Sequence, residues 1–271
     1  MSDIQYSNGF VRSHELNHHY GDKVHIFSNP FSLTLLERLS SKNTFQPDIN
    51  FLVENLYRYL LFQVMGHAFP YEMVSSATRM SEFTDKGIYE GISLNKKTPI
   101  VTVNLARAGT FPSHIFYSQL NYYFEPSGIR QDHFYCNRKV NDKDQVVGVD
   151  VSGSKIGGGI DNAIVIFPDP MGATGGTLAE AITHYKEQVP GKALKFIAVH
   201  LIITPEYIKK MKTAHPDVEI YALRLDRGLS AEDVLLSVPG ERWDEEVGLN
   251  EKQYIVPGAG GVGEILNNSF V

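Results

Sequence analysis

The chain has 271 residues, of which 42% are hydrophobic and 21% charged, as in an ordinary globular protein. Its net charge of −6 argues against a dedicated nucleic-acid-binding protein, and its single cysteine, Cys136, excludes an intramolecular disulfide. Residues 1–10 do not resemble a secretory leader, and no apolar run is long enough to span a bilayer. We therefore expect a cytoplasmic protein without a membrane partner.

The N-terminal part of the chain changes character near residue 30. Residues 1–30 are polar and rich in histidine, and we interpret them as an irregular N-terminal arm. Apolar residues at helical spacing begin at Phe31 and resume after Pro47, where they form one long face. These patterns predict two helices, the second of which should pack against a sheet.

Strand patterns dominate the middle of the chain. Residues 99–105 predict a strand, and a helix is expected over residues 113–123. Two further strands are expected over residues 133–138 and 145–151. A glycine-rich segment follows, and we interpret its first part, residues 152–155, as a mobile loop.

Strands and helices alternate in the C-terminal half. We expect a strand over residues 194–203, a helix that begins at Pro205, a strand over residues 218–225 and a charged loop over residues 226–250. This order predicts an α/β fold with a mainly parallel, twisted sheet and helices on both faces. We expect one domain over residues 31–271, with a small hood or arm built from the N- and C-terminal segments.

The most informative segment covers residues 164–177. An apolar, β-branched run predicts a buried strand that ends near Asp169, and a helix follows Thr177. Two threonines and two adjacent glycines lie between them, so that hydroxyls and backbone N–H groups can converge on an anion at the helix N-terminus. In open α/β sheets, ligands bind at the carboxyl ends of strands, where Asp169 is expected. The segment therefore predicts a phosphate-binding loop with an acid beside it.

Two other motifs match ligand-binding patterns but lack the context that those patterns require. Residues 14–18 spell the HExxH pattern of zinc proteases, yet the nearby Gly21 and the scarcity of apolar residues argue against a helix there. Residues 258–263 match the dinucleotide-binding glycine pattern, but only eight residues follow Gly263. We interpret the first motif as part of a solvated arm. The late glycines indicate a tight turn or a close approach to a ligand.

The phosphate-binding loop has a distinctive sequence, and two further segments accompany it. Residues 169–177 read Asp-Pro-Met-Gly-Ala-Thr-Gly-Gly-Thr, residues 104–109 read Asn-Leu-Ala-Arg-Ala-Gly, and residues 248–258 end in Val-Pro-Gly. These segments resemble the phosphoribosyl diphosphate (PRPP) loop, the diphosphate-binding turn and the uracil-recognition loop of the uracil phosphoribosyltransferase family. The resemblance implies transfer of ribose 5-phosphate from PRPP to uracil, which gives UMP and diphosphate.

The resemblance also implies a set of site residues. Asp169 would accept hydrogen bonds from the ribose hydroxyls, and Arg107 would neutralise the diphosphate. The residues implied to bind PRPP are Arg107, Ala108, Gly109, Arg138, Lys155, Asp169, Met171, Gly172, Ala173, Thr174, Gly175, Gly176 and Thr177. Those implied to bind uracil are Tyr254, Ile255, Gly260 and Val262. Mg²⁺, held mainly by the diphosphate, is the implied cofactor, and a homo-oligomer is the implied assembly.

The chain departs from the family pattern at several positions. Gly261 stands where the family carries an acid, and Glu264 is close enough in sequence to replace it or to act as a metal ligand. Gly172 stands in place of a usual leucine, and residues 230–247 contain extra sequence. Two alternatives therefore stay open. One is a non-catalytic relative that senses PRPP or a nucleotide, and the other is a phosphoribosyltransferase for another base.

Overall fold

The computed structural model describes residues 15–140 and 146–269, and all of their side chains except those of residues 137–140 and 146–151. In chain order, the elements are β1 (Val24–Ile26), α1 (Pro30–Ser40), α2 (Asp48–Ala68), β2 (Tyr71–Ala77), β3 (Ile88–Leu94), β4 (Ile100–Ala106), α3 (Thr110–Tyr123), β5 (Ile129–Val140), β6 (Val146–Lys155), β7 (Ile164–Pro168), β8 (Met171–Gly172), α4 (Gly176–Gln188), β9 (Lys195–Ile203), α5 (Pro205–Ala214), β10 (Glu219–Leu225), α6 (Glu232–Leu235) and α7 (Val262–Asn267).

The main sheet is parallel except at one edge. Its strand order is β1-β10-β9-β7-β4-β5-β6, and β8 pairs with β9. Only β6 runs antiparallel to its neighbour among these described strands. The chain continues from β4 to β5 on one side of the sheet and from β7 to β9 on the other. The neighbouring strands β4 and β7 therefore flank a topological switch point, where such sheets bind ligands.

Helices cover both faces of the sheet, as the sequence predicts. Ile164 and Ile166 of β7 pack in the cluster that includes α2 and α3. The alternate residues Val165 and Phe167 pack in the cluster that includes α4 and α5. Because successive side chains of a strand point to opposite faces, this central strand is buried on both sides. Among the described residues, no helix has the length and apolar character needed to cross a membrane.

The structure corrects the expectation for the described part of the N-terminal arm. Residues 24–26 form β1, a strand that pairs in parallel with β10 at the edge of the sheet. Its residues Val24 and Ile26 are buried. Three residues are too few to show a periodic pattern, so the pairing comes from β10 rather than from a local signal. The HExxH motif forms no helix over residues 15–18, and His14 lies outside the described residues.

Two other segments differ from the expectation. Residues 152–155, interpreted as a mobile loop, form the end of β6, where Lys155 pairs with His133. Glycine and serine are weak strand formers, and the antiparallel partner β5 decides their conformation. The hairpin of β2 and β3 forms a separate two-stranded sheet, which was not predicted from the sequence. Its largely exposed residues lack a clear apolar alternation.

Candidate active site

A cavity of about 700 Å³ opens at the carboxyl ends of β4 and β7. Its volume is typical of small-molecule sites, which measure roughly 300–1,000 Å³. The walls come from the turn after β4, the loop between β7 and α4, parts of β5, β9 and α5, and the segment around α7. The cavity therefore lies at the switch point of the sheet.

The loop between β7 and α4 has the features of an anion site. Gly175 precedes α4 with a φ of +77°, a left-handed conformation that favours glycine. The capping residue Gly175 has no side chain, and the N–H of Gly176 makes a long bond of 3.5 Å to the hydroxyl of Thr174. The first N–H groups of a helix have no main-chain partner within it. Thr174 and Thr177 line the cavity beside these groups. The loop therefore offers main-chain and hydroxyl donors to an anion such as phosphate.

Val199 in the middle of β9 and Thr204 just before α5 hold this loop in place. The N–H of Asp169 donates to the carbonyl of Val199 at 3.0 Å. Thr204 donates through its N–H to the carbonyl of Gly172 at 3.1 Å and through its hydroxyl to that of Ala173 at 2.7 Å. Because these bonds involve the main chain, they fix the path of the loop whatever its side chains are.

The carboxylate of Asp169 lies on the cavity wall. One of its oxygens accepts the N–H of Met171 at 3.2 Å, which orients the side chain within the loop. Burial and then the charge of Asp169 raise the pKa values of the buried Tyr57 and Tyr207. The structure thus places a carboxylate beside the anion site.

The turn after β4 brings a cation to the same cavity. The N–H of Gly109 donates to the carbonyl of Leu105 at 3.0 Å. A Cβ at Gly109 would lie 3.1 Å from the carbonyl oxygen of Pro168, so glycine allows this turn to approach the end of β7. Arg107 lines the cavity, and its guanidinium donates to the hydroxyl of Ser269 at 2.5 Å. Arg107 therefore places a positive charge on the wall of the cavity that Asp169 also lines.

The predicted uracil loop is anchored by a buried carboxylate. Asp226 accepts the N–H of Gly258 at 2.8 Å, and Arg224 holds both of its oxygens, at 2.7 and 2.8 Å. Tyr254, in the same loop, is 42% exposed and lines the cavity. Ile255, its neighbour, packs into the core instead. The loop thus presents one aromatic side chain to the cavity from a fixed backbone.

Glu264 lies against Gly261 at the far wall of the cavity. A Cβ built on Gly261 would overlap a carboxylate oxygen of Glu264. Both residues line the cavity. Because glycine leaves this volume empty, the carboxylate of Glu264 can occupy it.

The described residues form no ready-made metal centre. No group of three or more His, Cys, Asp or Glu side chains among them could hold a metal ion. Asp169 and Glu264 are the two carboxylates that the described residues place on the cavity wall. Mg²⁺ often uses one or two carboxylates together with substrate phosphates and water. Either acid therefore fits the role of a protein ligand to a Mg²⁺ ion that a phosphorylated substrate helps to hold.

Most of the residues predicted to bind PRPP meet at this cavity. Those that line it are Arg107, Ala108, Asp169, Met171, Gly172, Ala173, Thr174, Gly175, Gly176 and Thr177. Tyr254 and Val262 from the predicted uracil set join them. Segments that are about 60 to 150 residues apart in the chain thus form one site.

The other predicted residues have different positions. Gly109 is buried behind its turn, Ile255 lies in the core, and Gly260 is exposed outside the cavity lining. Lys155 is exposed at the end of β6 and is not among the described lining residues. The side chain of Arg138 lies outside the described part of the chain. The structure therefore does not bring Lys155 to the cavity that most of the other predicted PRPP residues share.

Several cavity residues carry no functional signal in the sequence. They are His200 in β9, Tyr207 in α5, Tyr135 and Cys136 in β5, and Ser152 in β6. Within a strand or helix, their patterns indicate only packing. Burial, followed by the charge of Asp169, raises the pKa of the Cys136 thiol to about 11, so this thiol is not an activated nucleophile.

The chain is similar to known proteins over most of its length. The family model described as "Uracil phosphoribosyltransferase" matches residues 26–244. The uracil phosphoribosyltransferase of Geobacillus sp. (strain WCH70) is 26% identical over 250 residues, which cover 90% of this chain and 97% of that protein. That of Campylobacter fetus subsp. fetus (strain 82-40) is 36% identical over 106 residues, or 39% of this chain and 40% of that protein. The AQ2163 protein from Aquifex aeolicus shares the fold, with a TM-score of 0.65, 22% identity and coverage of 90% and 97%.

The fold, the site and these relatives together define a phosphoribosyltransferase, an enzyme of the glycosyltransferase type. The family model covers more than half of the chain, including β4, β7 and the phosphate-binding loop. The chain belongs to the uracil phosphoribosyltransferase family.

Proposed function

We propose that this protein transfers the 5-phosphoribosyl group of PRPP to uracil, with release of diphosphate and formation of UMP. The observation that carries the proposal is that the phosphate-binding loop, Arg107 and Tyr254 line one cavity. This cavity offers donors for a phosphate, a cation for a diphosphate and a loop for a base. A phosphoribosyl donor and a flat heterocycle need these three elements together.

In the proposed reaction, the bond from C1 of the ribose to diphosphate breaks and a bond from C1 to N1 of uracil forms. The N1 proton of uracil passes to water, and diphosphate leaves with both electrons of the broken C1–O bond. The transition state resembles an oxocarbenium ion, so the enzyme acts mainly by positioning the reactants and by stabilising charge. The α4 N-terminus with Thr174 and Thr177 would hold the 5-phosphate. Arg107 would stabilise the departing diphosphate, and Asp169 would accept hydrogen bonds from the ribose hydroxyls.

We propose Mg²⁺ as the cofactor, held by the diphosphate together with Asp169 or Glu264. When bound, the ion would neutralise part of the diphosphate charge. Glu264 would supply the acid that the family pattern has at position 261. The support for this role is that its carboxylate occupies the volume beside Gly261 on the cavity wall.

Recognition of uracil would depend mainly on the backbone of the C-terminal loop. N–H and C=O groups near Tyr254, Ile255, Gly260 and Val262 can match the donor and acceptor edge of a pyrimidine. A base with a different edge leaves such groups unpaired, which costs binding free energy. The hydrogen bonds of Asp226 with Gly258 and Arg224 support this role, because main-chain groups that recognise a base must be held in fixed positions.

The direct test measures diphosphate release from PRPP and Mg²⁺ with uracil, cytosine, guanine, hypoxanthine or xanthine. We expect uracil to give the fastest release and UMP as the product. Asp169→Asn should lower turnover by about a hundredfold or more while the midpoint of thermal unfolding stays near that of the wild type. Asp161→Asn, on the exposed surface away from the cavity lining, is the matched control and should keep full turnover.

Two outcomes of this test would contradict the proposal and indicate a different function. Thermal stabilisation by PRPP without turnover on any base would indicate a sensor, because ligand binding alone stabilises the folded state. Faster turnover with another base would assign that base as the substrate. The homo-oligomer implied by the family resemblance stays a prediction, which sedimentation of the purified protein would check.

A further inference from the structure

Two buried polar side chains lie directly behind the phosphate-binding loop. His200 is 2% exposed and Tyr207 is 1% exposed, yet both contribute to the floor of the cavity. Neither is among the residues that the family resemblance implies. A histidine and a tyrosine in such a position need hydrogen-bond partners, because an unpaired buried polar group is costly.

The partners form a continuous chain that ends at Asp169. Nδ1 of His200 lies 2.6 Å from the main-chain oxygen of Asp169, and Nε2 lies 2.6 Å from the hydroxyl of Tyr207. A carbonyl oxygen can only accept, so Nδ1 carries the hydrogen. In the neutral ring Nε2 is then an acceptor, and Tyr207 donates to it. Burial lowers the pKa of His200 to about 4, so the ring is neutral near pH 7.

Gly172 makes room for this arrangement. A Cβ at position 172 would lie 2.8 Å from Cγ2 of Ile203 and 3.2 Å from the ring of Tyr207. The leucine that the family pattern has at this position would therefore collide with the tyrosine ring. Glycine at 172 and tyrosine at 207 are compatible with each other, which explains this departure from the pattern.

We infer that His200 and Tyr207 are positioning residues for phosphoribosyl transfer, because they fix the main chain of Asp169. This inference rests on the proposed function. The N–H of Asp169 is bonded to Val199 at 3.0 Å and its C=O to His200, so both sides of the residue are anchored to neighbouring structure. A misplacement of a reacting group by about 1 Å can cost a hundredfold in rate. Loss of the hydrogen bond from His200 to the carbonyl of Asp169 should therefore lower kcat.

The variants distinguish the effect of losing the hydrogen bond of His200 from the effect of losing its packing. His200→Leu removes the donor, whereas the amide of His200→Asn can still donate near the position of Nδ1. Tyr207→Phe removes only the hydroxyl that donates to Nε2. His215→Leu is the matched control, because His215 is also buried (8% exposed) and bonds a main-chain oxygen, that of Ala179, at 2.9 Å outside the cavity lining.

Kinetics are measured well below the thermal midpoint of each variant. We expect His200→Leu to lower kcat by roughly tenfold to a hundredfold with KM for uracil within about twofold, and His200→Asn to recover most of the loss. Tyr207→Phe should give a smaller loss, and His215→Leu should lower stability without lowering kcat. If the wild type is active and folded His200→Leu has the same kcat, the inference about His200 is wrong while the proposed function stands. An inactive wild type overturns the proposed function.

A spectroscopic measurement checks the hydrogen-bond chain without turnover. In protein labelled with ¹⁵N-histidine, NMR distinguishes the two neutral tautomers, and the signal of His200 is assigned by its absence in His200→Asn. We expect the Nδ1–H tautomer in the wild type and its loss or broadening in Tyr207→Phe. An Nε2–H tautomer in the wild type would overturn the inference, because that ring could not donate to Asp169.

Discussion

The carboxylate of Glu264 occupies the space into which a side chain at Gly261 would extend. The family pattern has its acid at 261, whereas here an acid three residues later reaches the same part of the cavity wall. The first turn of α7 makes this possible, because Glu264 lies in that turn and position 261 carries no Cβ.

The first prediction concerns this exchange of acids. Glu264→Gln should lower kcat/KM for PRPP by roughly tenfold to a hundredfold, because a hydrogen bond to a charged group contributes about 1.5–3 kcal/mol. The double variant Gly261→Asp with Glu264→Ala, in which the shorter residue at 264 vacates the volume beside position 261, should regain part of that loss. Glu187→Gln on the exposed surface is the control. Wild-type kcat/KM in Glu264→Gln at low Mg²⁺ would contradict the role.

The second prediction concerns the phosphate-binding loop. Gly175→Leu should weaken PRPP binding by at least about tenfold, because a side chain at this left-handed position displaces the N–H groups from the anion. A Cβ there would also lie 3.3 Å from Tyr207 and from Lys210. Calorimetric titration with PRPP measures the effect.

A substitution at a second glycine serves as the control, because it strains the backbone without altering the phosphate-binding loop. Gly21 also has a positive φ, +96°, and the atoms within 4 Å of its Cβ position belong to the flexible end of Lys212. Gly21→Leu should therefore lower stability and leave PRPP affinity unchanged. If the wild type and folded Gly175→Leu bind PRPP with equal affinity, the loop does not form the phosphate site.

The third prediction concerns stability in acid. The folded protein holds the pKa of His200 at about 4, below its ordinary value of 6.5. As the pH falls below 6.5, the unfolded chain binds this proton first, so the folded state loses stability until the folded pKa is reached. From pH 7 to pH 5 this loss should be about 2 kcal/mol.

Urea unfolding of the wild type and of His200→Asn at both pH values isolates that contribution. The wild type should lose more of its free energy of unfolding than the variant, since the other titrating groups are common to both. Equal losses would show that His200 is not kept neutral by burial.

The fourth prediction uses Cys136, the single cysteine of the chain. Its pKa of about 11 means that the thiolate fraction, and hence the rate of alkylation, should rise about tenfold per pH unit from pH 8 to pH 10. Because this half-buried thiol lines the cavity, ribose 5-phosphate should slow its alkylation. Mass spectrometry gives the rate, and Cys136→Ser gives the background. A rate that levels off near pH 9, or that is indifferent to the ligand, would contradict this placement.

Local sequence patterns predicted the order of the main strands and helices and the position of the phosphate-binding loop. Apolar periodicity and glycine positions are local properties, and they predicted the strand that ends near Asp169 and the helix that follows it. The resemblance extended this local information to Arg107 and to Tyr254, which lie on separate loops.

The set of side chains that share the cavity depends on how the strands and helices pack. The edge strand at residues 24–26 forms because β10 offers a partner, and residues 152–155 extend because β5 pairs with them. His200 and Tyr207 read as core positions in the sequence, and they reach the site because β9 and α5 pack behind the loop. Such contacts join residues distant in the chain, so no local pattern encodes them.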